Sequence, residues 1–257
     1  MNRIDQLFQR KSRNVISVYF TAGYPQKDDT VEIIKKLEES GADMIKLGVP
    51  FSDPMADGPV VQESNKVSLK NGMNLSLLFK QLENIRQITE IPILLMSYMN
   101  PVFHFGVEKF CNRCRETGID GVIIPDLPVE VYREHYKTYF SNNNVYNILF
   151  LATTTTKQRL ETILPYAEGF VYMVPSGSAK VNTNKTNQLD YVETIREVRQ
   201  DIPVMADFQI SNRDKFQEVC QYANGGIVGS AFIKQLTDAE DNMDNRIKSF
   251  IQSISLV

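Results

Sequence analysis

Histidine and cysteine are scarce in this chain, with two of the first and three of the second among 257 residues. A His-based zinc site or a Ser-His-Asp triad would have to use His104 or His135, and neither sits in a motif of that kind. Three thiols, an odd number, suit a reducing cytoplasm better than a disulfide framework. Cys111 and Cys114 form a C-x-x-C inside GVEKFCNRCRETG. That run reads as a helix with no second Cys or His pair nearby, so both are expected to be ordinary helix residues and no metal site is expected. No apolar run approaches the roughly 20 residues that span a bilayer. The opening MNRIDQLFQRKSRN is polar and of mixed charge, unlike a secretory signal. There is no basic block, and the net charge is −3, which argues against nucleic acid as the partner. A G-x-G-x-x-G fingerprint is also missing after the first apolar run, where FTAGYPQKDD stands instead.

What is present is a rhythm. The composition, 42% hydrophobic and 23% charged, is that of an ordinary globular protein. Short apolar, β-branched runs predict strands at 15–20, 43–49, 92–98, 121–125, 146–152, 169–174, 203–208 and 225–229. Longer amphipathic runs predict helices near 28–40, 62–88, 106–117, 130–142, 157–166, 189–200, 212–222 and 231–255. In the 28–40 run, Val31, Ile34 and Leu37 recur every third residue and Ser40-Gly41 stops the helix. The strands are continuously apolar, as strands covered on both faces are. Strand–helix units in this number predict an α/β fold: a single-domain (β/α)8 TIM barrel over 1–257, with an extra N-terminal helix. An open doubly wound sheet is the alternative, and the missing fingerprint weakens it. The polar stretch 178–188, SAKVNTNKTNQ, is expected to be a long loop.

In a barrel the chemistry gathers at the carboxyl ends of the strands. Thr21, Asp53, Asp57, Tyr98, Asn100, Asp126, Thr153–Thr156, Asp207 and Gln209 fall there. Gly229-Ser230 opens the last helical run and would offer backbone N–H groups to a phosphate, although Ser230 also suits an ordinary N-cap. One residue does not fit. Lys46 interrupts the apolar strand DMIKLGV, and a buried ammonium is costly unless something pairs with it.

GVPFSDPMADGP (48–59) resembles the signature loop of the tryptophan synthase alpha chain family. LLMSYMNPV (94–102), IIPDLPVE (123–130) and GGIVGSAFIK (225–234) are similar to further segments of that family, and the likeness runs from RIDQLF to the final helix. The resemblance implies a barrel that cleaves indole-3-glycerol phosphate to indole and glyceraldehyde 3-phosphate in tryptophan biosynthesis. It also implies a cytoplasmic α2β2 assembly with a beta subunit that carries pyridoxal phosphate, the alpha chain itself having no cofactor. Two carboxylates serve the family reaction. The Asp that receives the indole N–H corresponds to Asp57, and the Glu that works as general acid and base corresponds to the position of Lys46. The substrate contacts carried over are Tyr19, with Thr21 beside it, Tyr98, Tyr172, Gly229, Ser230, Val181 and Gln209. The partner contacts are Asp53, Pro54 and Asp126.

The departures fall on the same face. Lys46 replaces the Glu; while charged it only donates hydrogen bonds, although it could pair with Asp57. Lys180 and Val181 stand where the family has Thr and Gly, and DFQIS (207–211) stands where it has GFGIS, so Asp207 and Gln209 replace glycines. Side chains there block the approach of backbone to phosphate. The expectation is an alpha chain whose own turnover is impaired. Two alternatives stay open: a Schiff-base aldolase using Lys46, and a non-catalytic barrel that acts only through partner binding.

Overall fold

A computed structural model of the chain describes residues 1–55, 57–175, 185–237 and 242–255. Its strands are β1 (Val15–Thr21), β2 (Met44–Gly48), β3 (Ile93–Met96), β4 (Gly121–Ile123), β5 (Tyr146–Asn147), β6 (Leu149–Ala152), β7 (Val171–Val174), β8 (Val204–Ala206) and β9 (Gly225–Val228). They hydrogen-bond in the order β5-β4-β3-β2-β1-β9-β8-β7-β6. Every paired neighbour is parallel. The two ends of that order, β5 and β6, are consecutive in the chain and separated only by Ile148. They act as one strand with a break, and the sheet returns on itself as a TIM barrel with helices outside. The buried backbone of Ile148 still donates to the Val122 carbonyl at 2.9 Å. β1, β2, β3, β4 and β9 are buried at every position, which accounts for their largely apolar sequence and makes Lys46 in β2 the charged exception among them.

Several helical runs are subdivided relative to the sequence pattern. The 62–88 run becomes Pro59–Lys70, Leu75–Gln81 and a 3₁₀ turn at Ile85–Gln87. Gly72, at φ +83°, turns the chain, and the Asn74 side chain caps the second helix by accepting from Leu77 N–H. The helix Met99–Phe105, absent from the pattern, precedes Val107–Thr117, with Gly106 at φ +91° between them. The last run divides into Ser230–Thr237 and Met243–Ile254. Helix Lys185–Val198 begins inside the stretch expected to be loop, so residues 185–188 are helical. The rest of that expected loop, 178–184, lies outside the described residues.

The amino-terminal end of the barrel is closed by the helix Arg3–Arg10. Asn2 caps it by accepting from Ile4 N–H, and Ile4 and Leu7 are buried. Ile4 packs against Gly121 and Gly169, where β4 and β7 begin, so small residues there make room for the plug. A polar clamp holds the same end. Asp120 is buried and accepts from Arg86 at 2.7 Å, from Arg3 at 3.2 Å and from Ile93 N–H at 2.8 Å. Arg86 also donates to the carbonyls of Gly118 and Ile91. Burial raises the Asp120 carboxyl above its usual range, against the pull of both guanidinium groups. The pair is therefore costly to assemble and costlier to break from one side.

Asp120→Ala should cost about 3–5 kcal/mol, the penalty of taking the carboxylate away from a largely buried guanidinium. Urea denaturation measures it; a loss below about 1 kcal/mol would place this pair in the class of surface ion pairs.

Candidate active site

β2 delivers Lys46 to the barrel interior. It lies in register with Tyr19 of β1 and Leu94 of β3, and it is 4% exposed. Lys46 Nζ donates to Tyr172 Oη at 2.9 Å. Three strands, β1, β9 and β8, lie between β2 and β7 in the sheet order, so this bond crosses the barrel. Tyr172 Oη in turn donates to Asp207 Oδ2 at 2.8 Å, just beyond β8. The ammonium also lies 4.7 Å from the centroid of the Tyr19 ring and 4.4 Å from that of Tyr172, within the range of cation–π attraction. The edge of Phe150 meets the Tyr172 ring at 5.1 Å and 88°, fixing its plane. Among the described residues, Lys46 Nζ thus has one hydrogen-bond acceptor, two aromatic faces and a carboxylate one bond further away. Burial pushes its pKa below the ordinary lysine value, and the carboxylates of Asp207 and Asp57 oppose that shift.

Asp57 sits in the loop between β2 and the helix Pro59–Lys70. Its backbone N–H donates to the Pro54 carbonyl at 3.0 Å, and its own carbonyl accepts from Gln62 at 2.9 Å. The Asp57 carboxylate accepts a long hydrogen bond, 3.4 Å, from Tyr98 Oη. Burial raises its pKa, and the Lys46 charge and the Tyr98 hydroxyl partly offset the rise. The sequence allows a direct Lys46–Asp57 ion pair; the structure has none, because Lys46 turns to Tyr172 instead. Phe51, which the residue pattern did not single out, stacks on Tyr98 with ring centroids 5.1 Å apart and planes at 30°. Its place in the 48–59 loop was the available clue. Thr21 is buried and shares a 2.7 Å hydrogen bond with Ser64, tying β1 to the helix after the loop.

The remaining expected residues separate into groups. Gly229 backs onto the Tyr19 ring, where a Cβ would sit 3.3 Å from Tyr19 Cδ1, and Ser230 is exposed at the first turn of its helix. Gln209 is exposed and has φ +54°, a left-handed backbone that glycine adopts at no steric cost. Lys180 and Val181 lie outside the described residues. Asp53 and Asp126 are exposed while Pro54 is buried. The Asp126 carboxylate accepts from Met99 N–H at 2.9 Å and so anchors the start of the helix Met99–Phe105. Thr156 caps the helix Lys157–Ile163. Cys111 and Cys114 are buried in their helix, and burial raises both thiols, Cys111 to about 12. Among the described residues, no group of three or more His, Cys, Asp or Glu is placed to hold a metal ion, and no helix is long and apolar enough to cross a membrane.

Comparison with known proteins finds relatives over nearly the whole chain. The family model described as tryptophan synthase alpha chain matches residues 5–255. The tryptophan synthase alpha chain of Flavobacterium psychrophilum is 45% identical over 256 residues, 99% of this chain and 100% of that one. That of Bacteroides thetaiotaomicron is 43% identical over 244 residues, 94% of this chain and 95% of the relative. Among solved structures, the alpha chain from Legionella pneumophila superposes with a TM-score of 0.88 at 29% identity, covering 99% of this chain and 96% of that one. A Mycobacterium tuberculosis tryptophan synthase chain gives 0.89 at 27% identity, covering 100% and 99%.

Tyr172→Phe would remove both the acceptor for Lys46 and the donor to Asp207. It should destabilise the fold by about 1–3 kcal/mol, the cost of leaving a buried polar group without its partner. An unchanged midpoint in equilibrium urea denaturation would show that the crossing bond contributes nothing.

Proposed function

The chain belongs to the tryptophan synthase alpha chain family, and we propose that it is an alpha subunit whose own cleavage of indole-3-glycerol phosphate is disabled at Lys46. The observation that carries this reading is the bond from Lys46 Nζ to Tyr172 Oη, in the strand position where the reaction needs a carboxylate. Cleavage of the C3–glycerol bond requires a group that protonates the indole ring at C3 and removes a proton from the glycerol hydroxyl. One carboxylate tuned towards neutral pH can do both. A lysine ammonium can donate, but it has no lone pair to receive the hydroxyl proton.

Asp57 keeps the features its role demands. It is half-buried, its pKa is raised by that burial, and it stands beside the stacked pair Phe51 and Tyr98, where a flat aromatic ring would lie. From there its carboxylate would accept the indole N–H. Tyr19 and Tyr172 would complete the aromatic wall. Phosphate would be held by the backbone N–H groups of Gly229 and Ser230 at the start of their helix. Asp207 and Gln209 reduce that cradle, since one adds negative charge and the other a side chain. Val181, where the family has glycine, would reduce it further.

Partner binding would survive the loss of chemistry. Met55 is 91% exposed and Phe103 63% exposed, on the loop after β2 and on the helix Met99–Phe105. These segments meet through the Tyr98–Asp57 bond, and Asp126 anchors the helix. A beta subunit would dock there, over Asp53, Pro54 and Asp126, to form a cytoplasmic α2β2 assembly in which the partner holds the pyridoxal phosphate.

The chain, purified free of host alpha subunit, should release indole from indole-3-glycerol phosphate at least about 10²-fold more slowly than a family member with the Glu, the low end of what one acid/base group contributes. Turnover at the rate of such a member would overturn the proposal. Titrated into a beta subunit, the chain should form a complex, and Phe103→Asp should weaken it at least tenfold, or about 1.4 kcal/mol. Calorimetry reads both; no heat with the unaltered chain would exclude the partner.

A further inference from the structure

We infer that Asp207 is the positioning residue for Lys46, acting through Tyr172, so that the two are one coupled change to the site and neither can be reversed alone. The inference rests on the functional reading above only for what it says about activity. The coupling itself rests on the hydrogen-bond chain.

The chain has a fixed polarity. Asp207 Oδ2 accepts at 2.8 Å and therefore takes the only proton of Tyr172 Oη. The phenol oxygen is left as an acceptor, and Lys46 Nζ donates to it at 2.9 Å. Phe150 holds the tyrosine ring in this orientation. Each bond polarises the next, and a buried cation gains a carboxylate partner that its own side chain does not touch. Without Asp207 the tyrosine proton is free to point towards Lys46, and the acceptor becomes a competing donor. A buried ammonium would then be left with two ring faces and the distant Asp57.

The reverse change is equally unfavourable alone. A glutamate at position 46 would face Tyr172, whose proton is already committed to Asp207, and would add a third acid beside the half-buried Asp207 and Asp57. Like charges in such a site raise the pKa of one of them until it is protonated. The restored carboxyl would be poorly held, and repulsion from its neighbours would disfavour its charged form. Removing Asp207 at the same time frees the Tyr172 hydroxyl to donate to the new carboxylate. Glycine at 207 and glutamate at 46 therefore form one self-consistent arrangement, and aspartate and lysine form the other.

The test is a double-mutant cycle on the full chain: Lys46→Glu, Asp207→Gly and the pair together, read by thermal midpoint and by indole release with the beta subunit present. Each single change should lower the midpoint by about 5–10 °C, the expectation for a few kcal/mol in a chain of this size. The double variant should recover most of that loss. Its indole release should exceed that of Lys46→Glu alone at least tenfold, in kcat more than in KM, which a structural role for Asp207 alone would not produce. If Lys46→Glu does not fold, the neutral cycle Lys46→Met, Asp207→Asn and their double carries the same stability comparison. Additive midpoints in whichever cycle folds would overturn the coupling, as would a Lys46→Glu variant as stable and as active as the double. Fast indole release by the unaltered chain would instead sink the functional reading and leave the midpoint comparison intact.

Discussion

A single hydrogen bond across the barrel, from Lys46 to Tyr172, decides what the rest of this site can be. A charge in a dry protein interior is tolerated only when paired and hydrogen-bonded. The three groups that satisfy it, Tyr19, Tyr172 and Asp207, come from β1, β7 and the segment after β8. Much of the aromatic lining thereby serves the cation. Asp57 keeps a long bond to Tyr98 and a raised pKa; under the proposed function it would meet an indole N–H without the acid/base group it would work with.

The scaffold is insulated from this change by distance along the barrel. The clamp of Asp120, Arg86 and Arg3 and the plug formed by Ile4 sit at the amino-terminal end of the strands. Lys46 and its partners sit towards the other end, inside, with the loops beyond them. A barrel held together at one end can accept substitutions at the other, where βα loops carry function and not stability. Gly229 backs onto Tyr19, and Gln209 adopts a left-handed backbone that glycine takes at no steric cost.

The barrel was legible because parallel strands buried on both faces must be apolar throughout, and eight such runs separated by amphipathic stretches leave few alternatives. The divided helices were less legible, since Gly72 and Asn74 act through local backbone angle and a cap that hydrophobic periodicity does not see. The oddity of Lys46 was visible in one strand. Its partner was not: Tyr172 lies 126 residues away and Asp207 a further 35. Only closure of the sheet brings β2 opposite β7, whereas sequence proximity offers no partner beyond a possible pair with the nearby Asp57.

Under the proposed function, Lys46 is a cation where the family reaction calls for a carboxylate. The most direct measurement is the side-chain carbon and nitrogen NMR signal of Lys46, assigned by comparison with Lys46→Met and followed with pH. The account predicts a protonated amine at neutral pH, with a signal that moves when Asp207 is neutralised as Asp207→Asn. A free amine at neutral pH, indifferent to position 207, would contradict it.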